Sequence, residues 1–386
     1  MPPPRRSTTA LPSLTSKGFS AGWPPPTRSW PSWAPRRGLL DWRTVRAVRF
    51  HRFGEPEVLV YEDIPDPELG PGEAVVRVRA CGVNHLDLDI RSGISRLGIS
   101  LPHILGREVA GEVAALGPDA GGFRVGDRVL VAIIGGCGRC PFCRTGRDNL
   151  CPEARRPGIN RPGGYAELVV ARVEDLIPVP RGLGFEEAAA VPIAFGTAYH
   201  MLITQGGLKV GETVLINAAG STIGTAAIQV ARAAGARVVV TAGSEAKLER
   251  ARELGAHDGV NYSLPGWENR ILELTDGRGP DVIFEHVGGE VFKRSLAILA
   301  VDGRLCVCGG HAGEIVDLDL ISLFRKQARV IGSFSATRRE VELALDLVAR
   351  GELRPVIHGV YPLAEARLVH KLLASRANFG KLILNP

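Results

Sequence analysis

Four of the seven cysteines in this 386-residue chain fall together: Cys137-Gly-Arg-Cys140-Pro-Phe-Cys143, then Cys151. They lie three, three and eight residues apart in a stretch rich in Gly and Pro. Four thiolates this close can complete one tetrahedral shell around a zinc ion. A shell filled by protein sulfur leaves no open position, so such a metal would be structural. An iron–sulfur cluster also takes four cysteines, and disulfides are the remaining use. No secretory signal accompanies them, and thiolate ligation implies a reducing, cytoplasmic setting. Cys306 and Cys308, in Leu305-Cys-Val-Cys308, read as core residues of a strand.

A second candidate site is Thr213-Val-Leu-Ile-Asn-Ala-Ala-Gly-Ser-Thr-Ile-Gly224, a strand, a small-residue turn and a helix start. A parallel sheet receives a pyrophosphate at such a turn. Gly220 and Gly224 let backbone approach phosphate, and Ser221, Thr222 and Ile223 open a helix whose N–H groups donate to it. The next strand ends Thr241-Ala-Gly-Ser244, with no acidic residue for a ribose 2′-hydroxyl. Ser244 and Lys247 suit a 2′-phosphate, which favours NADP(H) over NAD(H). The plainer use of Ser244 is as a helix N-cap, and Glu245 lies nearby.

These sites need elements to hold them. Residues 45–180 carry short strand patterns separated by Gly, Pro and Asp, among them Glu73–Arg79, Val109–Val113, Asp127–Val131 and Tyr165–Val170. Such spacing predicts a barrel-like β domain. Glu186–Thr204 reads as one helix. From Thr213 to Ile331 strands and helices alternate, which predicts a doubly wound parallel sheet. An amphipathic helix, Glu340–Arg350, opens the C-terminal stretch. The expected fold is therefore α/β.

Residues 1–43 differ from the rest. They hold nine of the 27 prolines and four of the five tryptophans. Their seven Lys/Arg and one Asp account for the whole net charge of +6, so the remainder is formally neutral. They read as a disordered basic extension, with an organellar leader as the other reading. A neutral body argues against nucleic acid as a partner. The chain has no uncharged apolar run long enough to span a bilayer.

Further signatures follow in order. They are Gly54-Glu-Pro-Glu-Val-Leu59, Gly82-Val-Asn-His-Leu-Asp87, Gly106-Arg-Glu-Val-Ala-Gly111, Gly126-Asp-Arg-Val129, Gly163-Gly-Tyr-Ala-Glu167 and Phe379-Gly-Lys-Leu-Ile383. With the cysteine lobe and the glycine turn, they resemble the medium-chain dehydrogenase/reductase superfamily over residues 45–386. The resemblance implies a GroES-like domain over 44–193, completed by 333–386, and a Rossmann domain over 194–332. It implies one structural zinc on Cys137, Cys140, Cys143 and Cys151. It places a cofactor in the cleft, against Asn84, Thr197, Gly220–Gly224, Ser244, Lys247, Tyr262, Val287, Gly309 and Lys381. A homodimer or homotetramer acting on a small molecule is the family expectation.

The departures are informative. The alcohol dehydrogenases of the superfamily hold a catalytic zinc through Cys, His and Cys. Those positions align with Asn84, Arg107 and Ile193. An amide, a guanidinium and an aliphatic chain cannot replace two thiolates and an imidazole. Asn84 is typical of the quinone reductase branch. The residues expected near the chemistry are Asn84, His85, Asp87, Arg107 and Thr197, with Tyr165 and His286 close by. Arg107 either stabilises a developing oxyanion or pairs with Glu108 or Asp87. The leading expectation is an NADP(H)-dependent reductase of quinones or activated alkenes without catalytic zinc. The alternatives are an alcohol or aldehyde dehydrogenase using an unusual metal set such as Cys81, His85 and Glu108, and a non-catalytic NADPH sensor.

Overall fold

A computed structural model describes residues 44–386; the expectations for residues 1–43 lie outside the described residues. The first half is antiparallel β. Strand Val45–Phe50 pairs with Leu59–Ile64 and with His103–Ile104. A seven-stranded sheet follows, in the spatial order Ile357–Pro362, Lys381–Asn385, Glu73–Val83, Glu108–Leu116, Arg128–Val131 and Leu176–Pro178. Leu168–Arg172 pairs beside Glu73–Val83. Two of these strands come from the end of the chain, so the β domain closes only after the chain has left it and returned.

Between them lies a six-stranded, all-parallel sheet. Its order is Asp258–Asn261, Arg237–Ala242, Thr213–Ile216, Val282–Glu285, Arg304–Val307 and Arg329–Gly332. This is the doubly wound order, with the switch point beside Thr213–Ile216, where ligands bind in such sheets. The strand cores Val214–Ile216, Val238–Val240 and Val282–Phe284 are fully buried, as both faces carry helices. Gly235 (φ 76°) and Gly255 (φ 108°) lie just past helix ends in conformations that side chains resist.

The single helix expected over Glu186–Thr204 is broken. The structure has Phe185–Ala189, an irregular turn, Ala194–Tyr199 and a π-helical stretch, His200–Gln205. Pro192 is the cause: it lacks an N–H and its ring clashes with a continuing helix. The break frees the backbone N–H of Ile193, which turns to Glu108 at 2.8 Å.

Candidate active site and metal lobe

Register brings the polar centre together. Gly82 lies opposite Glu108 on one side and Ile383 on the other. Glu108, Lys381 and Asn84 thus meet at three strand ends. The Lys381 ammonium, fully buried, donates to Asn84 Oδ1 at 2.7 Å and closes an ion pair with the fully buried Glu108 carboxylate. Asn84 Nδ2 donates to Glu108 Oε2 at 2.9 Å. Glu108 Oε1 accepts the Ile193 N–H. A Cβ on Gly82 would stand 2.6 Å from both Glu108 Oε2 and Lys381 Cε, so only glycine admits the pair.

Asp87 holds the adjoining backbone. Its carboxylate accepts from Asn84 N at 2.8 Å and Gly106 N at 3.4 Å. Burial raises its pKa to about 6 against those bonds. His85 faces His311 with ring centroids 5.4 Å apart, and burial, reinforced by His311, lowers it to about 4. His311 in turn contacts Asp89 at 3.3 Å.

The ion pair expected as one use of Arg107 is not formed. Glu108 is committed to Lys381, Asn84 and Ile193, and Asp87 to two backbone amides. Arg107 is buried, and among the described residues its side chain makes one hydrogen bond, a long one to Ile133 O, 3.4 Å. Nor do Cys81, His85 and Glu108 converge. Neighbouring strand residues face opposite sides. Cys81 packs against Gly106 and Gly164, whereas Glu108 lies against Gly82 and His85 faces His311.

The glycine turn is pinned to the same C-terminal strand. Gly380 N donates to Gly220 O at 3.0 Å, and Thr222 Oγ1 donates to Gly380 O at 3.1 Å. Ser221 caps the following helix by accepting from Gly224 N at 3.0 Å. Gly224 has no room for a side chain: a Cβ would lie 2.6 Å from Ala218 O. Across the crevice, buried Glu285 accepts from the N–H groups of Val287 and Gly288 and shapes the turn after His286. Gly309 packs on the His286 carbonyl, and buried Thr197 lies on the helix after Ile193. Among the described residues Ser333 Oγ is buried with no hydrogen-bond partner.

At the end of strand Arg237–Ala242, Ser244 accepts from Lys247 N at 3.4 Å as a helix cap. Burial and the neighbouring Arg250 and Arg376 lower the Lys247 pKa, so cations gather here without a compensating carboxylate in contact. Lys247 Nζ donates to Arg376 O at 2.7 Å. Arg250 stacks 4.0 Å over Phe379, and the Tyr262 hydroxyl stands beside Gly243.

The four lobe cysteines bring their sulfurs within 4.8 Å of one another, and no other such group occurs among the described residues. Backbone N–H groups of Cys137, Cys140 and Cys143 point at the sulfurs of Cys151, Cys137 and Cys140, at 3.3–3.4 Å. Those amides favour thiolate: the N–H groups of Arg139 and Cys140 lower Cys137 to about 7, while burial pushes Cys143 up to about 12. The donor set suits a thiophilic ion such as zinc.

What the sequence reading missed is the Glu108–Lys381 pair, which joins residues 273 apart. The signal was Gly82, beside which both strands begin.

The sequence profile of the zinc-binding dehydrogenase family matches residues 222–350, and that of the alcohol dehydrogenase GroES-like domain matches residues 70–181. The chain is 35% identical to a quinone oxidoreductase of Pseudomonas aeruginosa, over 89% of this chain and all of that one. It is 30% identical to an acryloyl-coenzyme A reductase of Sulfurisphaera tokodaii, over 84% of this chain and 96% of that one. A solved NAD-dependent alcohol dehydrogenase superposes with a TM-score of 0.85 at 42% identity, covering 88% of this chain and 99% of that one. The antiparallel β domain and the six-stranded parallel domain are accordingly a GroES-like domain and a Rossmann-type domain, and the chain belongs to the medium-chain dehydrogenase/reductase superfamily of oxidoreductases.

Proposed function

We propose that this chain is an NADPH-dependent reductase of quinones or activated alkenes that uses no catalytic zinc. One observation carries the reading. Where the superfamily's alcohol dehydrogenases place three zinc ligands, this chain offers Asn84, Arg107 and the Ile193 backbone, and Lys381 and Glu108 close on one another beside them. That donor set suits hydrogen bonding, not Lewis-acid catalysis.

Bound NADPH supplies a hydride. The Gly220–Gly224 turn would hold its pyrophosphate, Ser244, Lys247 and Tyr262 its 2′-phosphate, and Thr197, Val287 and Gly309 its nicotinamide. Lys381 acts through Asn84, which it orients, and not as a direct cofactor contact. Asp87 holds the Asn84 and Gly106 backbone. Neutral His85 walls the cleft, and Arg107 stabilises the oxygen on which negative charge develops. A conjugated acceptor spreads that charge and needs no metal.

The cysteine lobe holds one structural zinc per chain, in keeping with a reducing compartment. The domain limits are 44–193 with 333–386, and 194–332. The assembly is a homo-oligomer. Strand Arg329–Gly332 is an exposed sheet edge, flanked by exposed Leu320, Ile321 and Phe324, which a second copy can cover.

The test is NADPH oxidation by the full chain against quinones and enones, with alcohols plus NADP+ or NAD+ as the reverse arm. Turnover of quinones or enones supports the reading. The 42% identity to an NAD-dependent alcohol dehydrogenase favours a second reading. It is adopted if only the alcohol arm responds and the protein holds two zinc ions.

A further inference from the structure

Arg107 is a charged group with nothing of its own to bind. It is 8% exposed. Its Nε is buried without a partner, and its single hydrogen bond is the long contact to Ile133 O. Among the described residues no carboxylate lies within ion-pairing distance of it. The two nearest, Asp87 and Glu108, already hold other donors.

Asp87 and Glu108 attract it from beyond contact distance and offset part of the cost of burial. Arg156, itself buried, is near enough for like-charge repulsion to lower Arg107 further, after burial itself. The Arg156 guanidinium lies 5.6 Å over the ring of Phe334, which is 45% exposed. Ile133 and Ile193 belong to one apolar cluster against the cysteine lobe. A buried cation between apolar walls and a second cation costs stability unless an anion joins it.

The Arg107 backbone also borders the candidate active site. It lies between Gly106, whose N–H Asp87 holds, and Glu108, which grips Asn84. A guanidinium is a planar fork of donors, and this one has donors that no group among the described residues takes up. A quinone or simple enone carries no permanent charge. A carboxylate matches the fork and makes stronger, charge-assisted bonds.

We propose that Arg107 anchors a permanent carboxylate of the acceptor, so that the acceptor is an activated alkene bearing a carboxylate. The proposal rests on the reductase reading and narrows it. It makes Arg107 the specificity determinant, its guanidinium engaged by the carboxylate in place of the developing oxyanion, and requires no metal.

The test compares trans-4-oxopent-2-enoate with its methyl ester, using the full NADPH-loaded chain, wild type, R107M and R107K. In the wild type the acid has a KM roughly tenfold or more below that of the ester. R107M loses that advantage, and R107K, with charge but no fork, keeps part of it. An ester as good as the acid in the wild type overturns the proposal, and so does an acid advantage that survives in R107M. If neither compound nor any quinone or enone of the panel turns over, the reductase reading fails. The same acid-to-ester ratio, read as quenching of bound NADPH fluorescence, still decides the anchor. No acid binding by that measure also overturns it. If R107M does not fold, the wild-type ratio and R107K carry the test.

Discussion

The Lys381 ammonium lies 2.7 Å from the amide oxygen of Asn84, across 297 residues of sequence. The last strand of the chain makes this possible by pairing Leu382 with Val83. The Asn84 amide is held at both ends, its oxygen by Lys381 and its nitrogen by Glu108. Because Gly380 also grips the Gly220 turn, one short C-terminal segment fixes that glycine turn relative to Asn84.

Removing Lys381 leaves Glu108 buried and unpaired. K381M is expected to lose on the order of 3–5 kcal/mol of stability, measured by urea unfolding. The double variant K381M/E108Q removes the stranded charge and recovers a large part of that loss. An unrecovered double variant would mean that packing around Gly82, not charge, sets the cost.

The sequence disclosed local features well and distant pairings poorly. The βα alternation from Thr213 is a local rhythm, and the strands Thr213–Ile216, Arg237–Ala242 and Arg304–Val307 follow it closely. The cysteine lobe was legible because its four ligands span 15 residues of chain and need no distant partner. Pro192 was visible, but a helical pattern on both sides of it concealed the break. The commitment of Lys381 and Glu108 to one another could not be read, because it depends on two strands flanking Gly82 from opposite directions. Arg107 shows the same limit. Its candidate partners lie within reach in sequence, yet other donors already occupy them.

The cations beside strand Arg237–Ala242 give the cofactor prediction. Lys247 sits among Arg250 and Arg376, and in the proposed function this positive field would hold the 2′-phosphate that NADH lacks. K247A is expected to weaken NADPH binding roughly tenfold and leave NADH unchanged, measured by fluorescence titration. An equal loss for both would remove Lys247 from the 2′-phosphate site.

A pH prediction follows from His370, which is fully buried beside Tyr165, with Nε2 3.1 Å from the tyrosine hydroxyl. Burial, helped by the nearby Arg91 charge, lowers its pKa to about 3, against an unfolded value of 6.5. The unfolded chain therefore binds the extra proton first as the solution is acidified. The stability His370 supports is complete above about pH 6.5 and is lost progressively as pH falls from there toward 3. Asp87, raised to about 6, acts in the opposite sense between its unfolded value of 3.8 and 6. H370Q removes the histidine contribution. Its stability deficit at pH 7, followed by urea midpoint, should shrink on the order of 3 kcal/mol by pH 4. A deficit constant with pH would show that His370 titrates alike in the folded and unfolded chain.

The cysteine lobe does more than close on itself, because its last turn holds the start of helix Arg338–Ala349. Asp148 Oδ2 accepts from Arg338 N at 2.9 Å, and Asn149 Nδ2 donates to Phe334 O at 2.9 Å. Both residues belong to the turn that ends on Cys151. From there Glu340 reaches His200 at 2.9 Å, on the π-helical stretch that follows Thr197. A bound zinc would fix Cys151 and, through this turn, the segment 334–340 beside the crevice. The purified chain is expected to hold one zinc, and C151S none, by metal analysis. C151S should also lower the unfolding midpoint and speed amide hydrogen exchange at 334–340 more than in the strands Thr213–Ile216 and Val282–Glu285. Faster exchange confined to 137–151 would show instead that the lobe stabilises itself and transmits nothing to the crevice.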